Sequence, residues 1–160
     1  MKELHLKNSD LKAIVDDDDF DHLSKFSWKL CNGYAVSCKK YYKLHNIVYG
    51  FNQDLTVDHI NNNKLDNRKE NLRWATRKQQ NQNKKPYKGR KFKGVYKRVS
   101  LKGKVHYIAS ITSDGITTQL GKFTSEYEAA KAYDIAAKLL HKEFANLNFP
   151  KLEFFGDEDL

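Results

Sequence analysis

From Lys84 to Lys104 the chain carries ten Lys or Arg and neither Asp nor Glu, and Pro86 and Gly89 fall near its start. Like charges at that density stay in water, and proline followed by glycine stops any helix that reaches them, so residues 84–91 read as a boundary rather than part of a core. A chain of 160 residues makes one medium domain or two small ones with thin cores. The boundary selects two, over 1–83 and 92–150, with an acidic tail at 151–160.

Charge is segregated along the chain. The basic run contrasts with Asp16 to Asp19 and with Asp157-Glu158-Asp159, and the whole carries a formal net charge of +9 and a pI near 9.4. A segment this basic neutralises phosphates and releases their counterions, so a polyanion is the expected partner and binding is expected to weaken with salt. A flexible, solvated linker is the other reading of the same residues. Cys31 and Cys38 form no Cys-x-x-Cys pair and supply neither a four-ligand zinc site nor a disulfide scaffold. No apolar run is long enough to cross a bilayer and Met1-Lys2-Glu3 does not open a signal peptide, so a soluble cytoplasmic protein is expected.

Residues 1 to 39 alternate short β-prone stretches (Leu4 to Leu6, Ala13 to Val15, Phe26 to Leu30, Tyr34 to Cys38) with Asn, Asp and Gly, the pattern of hairpins. Asn32-Gly33 is the best turn, because that pair tolerates positive φ. None of these residues reads as chemically active. Tyr41 to Tyr49 leads into a short helix closed by Gly50; His45 lies there among Leu44, Ile47 and Val48 and reads as structural or as a DNA or catalytic contact. From Val57 the expected order is strand, long polar loop, strand (Leu72 to Ala75), then a helix capped by Thr76 with Gln79 at the capping-box position.

Beyond the boundary, β-prone runs at Phe92 to Val99, Lys104 to Thr112 and Ile116 to Lys122 precede a helix from Ser125 to about His141, with Asp114-Gly115 as the second hairpin turn. In the middle strand Val105, Tyr107, Ala109 and Ile111 share one face. The helix covers it with Ala129, Ala130, Tyr133, Ala136, Ala137 and Leu140. The opposite face presents Tyr96, Arg98, His106, Ser110, Thr112, Thr117 and Gln119, with Lys93 close by. This is either a solvated sheet face or a surface slim enough for the major groove of duplex DNA, where such side chains meet base edges and phosphates.

The residues with chemistry in them are Asp58 and His59. Hydrolysis of a phosphodiester near neutral pH needs a base to activate water and a charge to stabilise the phosphate. An imidazole suits the first task and a metal-binding carboxylate the second. As strand neighbours, however, the two side chains start toward opposite faces.

Longer strings carry two resemblances. Val57-Asp58-His59-Ile60-Asn61, Leu65-Asp66-Asn67 and Glu70-Asn71-Leu72-Arg73-Trp74-Ala75-Thr76, with Lys43-Leu44-His45 before them, closely resemble the HNH endonucleases of phage and intron homing type over most of residues 1–83. That resemblance implies a ββα-metal module in a bacterial or phage-infected cell. It implies His59 as general base, Asp58 as metal ligand and Asn71 as the brace of the loop that orients the histidine. The family's last ligand, an Asn or His, falls on Gln80 with Asn81 adjacent, which is a departure. An all-oxygen set of Asp58, Gln80 or Asn81 suits magnesium or manganese; Arg68, Arg73 and Arg77 are either phosphate contacts or solvated. Lys93-Gly94-Val95-Tyr96, Gln119-Leu120-Gly121-Lys122-Phe123, Glu128-Ala129-Ala130-Lys131-Ala132-Tyr133-Asp134 and Ala145-Asn146-Leu147-Asn148-Phe149-Pro150 resemble the DNA-binding domain of the plant APETALA and ethylene-response-factor class, over residues 92–150. There the family's arginines and tryptophan give way to Tyr96, Thr117 and Gln119, so base preference does not transfer.

The resulting expectation is an α+β protein: hairpins, a ββα-metal nuclease module, then a three-stranded antiparallel sheet packed on one helix. Its expected activity is metal-dependent cleavage of duplex DNA. The competing reading is a non-cleaving DNA-binding regulator whose site has decayed at Gln80; a binder of structured RNA is a third.

Overall fold

The computed structural model describes residues 1–150; the acidic tail expected at 151–160 lies outside the described residues. The chain divides into two compact units, Met1–Asn81 and a second that begins at Gln82. Among the described residues no helix is long and apolar enough to cross a membrane.

The first unit opens with strands β1 (Lys2–Leu6) and β2 (Ser9–Val15). Helix α1 (Asp17–Leu23) follows, then β3 (Trp28–Cys31), β4 (Tyr34–Ser37) and α2 (Leu44–Tyr49). The two expected hairpins form, and β1 runs parallel to β3 through Leu6 and Trp28, giving one sheet in the order β2-β1-β3-β4. Asn32 and Gly33 both take positive φ (51° and 81°), as a tight turn of this hand requires. Helix α1 has no counterpart in the sequence reading, which treated Asp16 to Asp19 as charge alone. Three aspartates occupy its first turn, where the helix dipole favours negative charge, and Leu23 anchors its other end in the core. That core joins Leu4, Leu6, Ala13, Val15, Leu23, Trp28, Ala35 and Leu44, and the buried Trp28 indole donates to the Leu23 carbonyl at 2.9 Å.

Strands β5 (Thr56–His59) and β6 (Leu72–Ala75) form a separate antiparallel pair, followed by α3 (Arg77–Asn83). The Thr76 capping box closes in both directions. The Gln79 amide donates to Thr76 Oγ1 at 3.2 Å and the Thr76 amide to Gln79 Oε1 at 2.8 Å.

In the second unit β7 (Val95–Val99), β8 (Val105–Ser113) and β9 (Ile116–Phe123) form an antiparallel sheet in that order, and α4 (Glu126–His141) packs on it. Ala109, Ala129, Ala130 and Ala137 are fully buried at the helix–sheet contact. Alanines bury little area, so the elements gain from approaching closely. Gly94 takes φ +73°, and a Cβ there would lie 1.9 Å from the Tyr133 ring. Leu140, expected on the covered face, is half exposed instead; the last turn of α4 meets the sheet through the buried His141, whose Nε2 lies 3.0 Å from the Thr112 carbonyl. Ser125 caps through Tyr127 N at 3.2 Å rather than through Glu128.

The fully buried Asp134 carboxylate gathers the segment after α4, accepting from Asn148 N and Phe149 N at 2.8 Å each and from Asn148 Nδ2 at 3.0 Å. Asn148 in turn brackets Lys93, accepting from its amide at 2.7 Å and donating to its carbonyl at 3.1 Å. Burial holds the Asp134 carboxyl above the ordinary carboxylate range although these N–H donors pull it down. Several residues that carry the second resemblance are therefore holding the fold together.

Candidate functional site

The loop between β5 and β6 is built from asparagines whose side chains replace missing backbone partners. Asn61 Oδ1 accepts from Asn63 N (2.8 Å) and Asn63 Oδ1 from Leu65 N (3.1 Å), while Asn62 supplies a positive φ of 60°. The buried Asn71 ties the two ends together, accepting from Asn61 N at 3.0 Å and donating to the Asp66 carbonyl at 2.8 Å. The loop also rests on β2, with Ile14 N donating to Leu65 O (2.7 Å) and Asn67 N to Ile14 O (2.8 Å). Residues 1 to 39 thus support the site although none of them read as chemical.

His59 is buried. Its Nε2 lies 3.4 Å from Asn67 Oδ1, and with that oxygen accepting from Nε2–H, Nδ1 is the basic nitrogen of the ring. Burial lowers the affinity of His59 for a proton, partly offset by Asn67, Asp58 and Asp66, so it is unprotonated at neutral pH, as a base must be. Two further rings adjoin it: His45 from α2, 5.0 Å between centroids and nearly perpendicular, and Tyr34 from β4 at 6.1 Å. Asn67 and Tyr34 escaped the sequence reading. The Asn67 signal was present in Leu65-Asp66-Asn67; nothing local marked Tyr34.

Asp58 faces the other way, as strand alternation requires. It pairs across the ladder with Arg73, whose Nε and Nη2 both donate to Oδ2 at 3.1 Å. Arg73 is therefore engaged within the site, and Arg68 likewise holds Asp66 and Glu70, so neither is simply a solvated phosphate contact. Arg77 is exposed. Of the two adjacent amides on α3, Gln80 turns toward β5. Its Nε2 donates at 3.1 Å to the Val57 carbonyl, immediately before Asp58, while Asn81, one residue or about 100° further round the helix, is exposed. Among the described residues no three His, Cys, Asp or Glu converge. The donors at hand, one carboxylate and one amide oxygen, fit a hard divalent ion that takes further ligands from phosphate and water, and do not fit the nitrogen and sulfur set of zinc.

In the second unit the open face of the sheet presents the expected residues in cross-strand rows: Arg98 beside His106, Ser110 beside Gln119, and Thr112 beside Thr117 with their hydroxyls 2.8 Å apart. Tyr96, Arg98, Ile108, Ser110, Thr117 and Gln119 line a shallow concavity of about 250 Å³ that has no carboxylate in its wall. Arg90, which the sequence reading assigned to the linker, stacks 4.3 Å over the Tyr96 ring and adds a cation there. Lys93 is not brought to this face. Its half-buried ammonium donates to the Gln82 carbonyl, and burial together with Lys84 brings its pKa down to about 8.

Against known proteins, residues 42–82 match the HNH endonuclease family. This stretch runs from just before α2 to α3 and includes both site strands. Over 150 residues the chain is 36% identical to an uncharacterised HNH endonuclease of Acanthamoeba polyphaga mimivirus, covering 89% of this chain and 76% of the viral protein. No solved structure matches. The paired strands, the Asp58-His59 step, the Asn71 brace and this shared length together place the chain in the HNH endonuclease family.

Proposed function

We propose that this endonuclease hydrolyses phosphodiester bonds in duplex DNA with His59 as general base and with magnesium or manganese held by Asp58 and the Gln80 amide. The carrying observation is the buried, proton-poor His59 ring, oriented by Asn67 inside a loop that Asn71 closes. Such a ring accepts a proton from water as the water oxygen attacks phosphorus and the ester oxygen on the far side departs. Asp58 and the Gln80 amide would hold the ion, which would supply positive charge to the phosphate. Arg73 holds the Asp58 carboxylate in place.

The second unit grips the duplex through its carboxylate-free sheet face, in the manner of the ethylene-response-factor class it resembles. Arg98 and Gln119 are suited to base edges, and Arg90 and the exposed lysines of residues 84–104 to phosphates. Separating grip from cleavage is expected where the cleaving module is too small to specify a long site.

Supercoiled plasmid incubated with magnesium or manganese tests the reading. Cleavage is expected from the wild type and from the exposed variant Lys25→Ala, and not from His59→Ala or in the presence of chelator. Undiminished cleavage by His59→Ala refutes the assignment of the base.

A further inference from the structure

His45 is a buried imidazole that hydrolysis by His59 and the metal leaves without a role. It stands on α2 with 5% of its surface exposed, its ring 5.0 Å from that of His59 and 5.3 Å from that of Tyr34, edge to face with both. Among the described residues no hydrogen bond holds either ring nitrogen, and neither nitrogen is one of the enclosed polar atoms left without a partner. A ring N–H that is neither bonded within the protein nor sealed off is open to an incoming acceptor.

A second observation points to what that acceptor is. The ammonium groups of Lys43 and Lys64 lie 4.4 Å and 4.3 Å from the centroid of the same Tyr34 ring that touches both imidazoles. Two cations this close lie within about one Debye length of each other and repel. An anion between or beside them relieves the repulsion, and a nuclease has one to offer. Burial first, then His59 and Lys43, brings the His45 pKa down to about 3, so at working pH the ring is neutral and always carries one N–H.

We propose that His45 is a second imidazole of the cleavage site, donating its ring N–H to a non-bridging oxygen of the scissile phosphate, with Lys43 and Lys64 holding the flanking backbone. The assignment rests on His59 as the base, since it is the neighbouring His59 ring that brings the phosphate within reach. His45 then stabilises the charge that builds on phosphorus as water attacks, an effect felt in turnover more than in binding.

The test is single-turnover cleavage of plasmid by the full chain with magnesium, alongside DNA affinity and urea unfolding, for His45→Phe, His45→Gln, Lys43→Ala with Lys64→Ala, and His59→Ala. His45→Phe keeps an aromatic ring and removes the N–H. The expected result is roughly 100-fold slower cleavage, the usual effect of losing one donor to a transition-state oxygen, with DNA affinity within about twofold and unfolding at equal or higher urea. His45→Gln, which restores a donor, recovers part of the rate; the double lysine variant binds DNA more weakly and, at saturating protein, leaves the single-turnover rate nearly unchanged. If the ring only fills space, His45→Phe cleaves like the wild type, and that result overturns the proposal. Loss of rate that tracks a lower unfolding midpoint, with no recovery in His45→Gln, overturns it equally. If His59→Ala cleaves normally, the error lies in the base and not in His45.

Discussion

The acid side of the stability profile should be dominated by histidines that fold without their proton, and His45→Phe isolates one of them. In the unfolded chain His45 takes up a proton below its ordinary pKa of 6.5; in the folded unit it does so only near 3. Its folded pKa is the lower one, so it costs nothing above pH 7. As the pH falls below 6.5 it favours unfolding by about 1.4 kcal/mol per unit. At pH 5 the difference amounts to about 2 kcal/mol, a large share of what a small domain possesses. The groups facing it are His59 across the ring contact, Lys43 at the start of its own helix, Tyr34, and Lys64 over Tyr34. His59, also lowered by burial, adds loss in the same direction and remains in the variant. The lowered carboxyls of Asp17 and Asp66 act below pH 4, outside the window. Urea unfolding at pH 8 and pH 5 reads the effect through Trp28 and Trp74, the two tryptophans of the chain, both in the first unit. His45→Phe should lose about 2 kcal/mol less than the wild type between the two conditions. Equal losses in the two proteins would show that the ring is not held neutral, and the burial argument would fail.

Gly94→Ala drives a methyl into the Tyr133 ring at a positive φ, so about 3–5 kcal/mol is expected to be lost, and the second unit's calorimetric transition should vanish or fall steeply. Asn71→Ala strands the Asn61 amide and the Asp66 carbonyl; it should destabilise the first unit by about 2–4 kcal/mol in urea and abolish plasmid cleavage. Arg98→Ala should weaken duplex binding and lower the slope of log affinity against log salt by no more than about one, measured by titration at several salt concentrations.

Much of the architecture was legible because it is made by neighbours in sequence. The Asn32-Gly33 turn, the Thr76 capping box, the Asp114-Gly115 turn and the alanine face of α4 each need only a few consecutive residues with the right φ tolerance or spacing. The strand, asparagine-rich loop and second strand that carry Asp58, His59 and Asn71 were legible for the same reason, whereas the roles expected of those three residues came from the resemblance of the longer string. Helix α1 was not, because a run of aspartates becomes helical only once Leu23 has a core to enter.

Sequence alone settled which residue types were available for chemistry and which turns would bring their strands together. Only the tertiary structure decided what each group faces. It set Tyr34 and His45 against His59, gave Asp58 to Arg73, turned Gln80 rather than Asn81 toward β5, stacked Arg90 on Tyr96 and withdrew Lys93 from the sheet face. The physical reason is that strand register and helix phase determine such pairs. Both are determined by burial summed over a whole unit, and no short window of residues contains that sum.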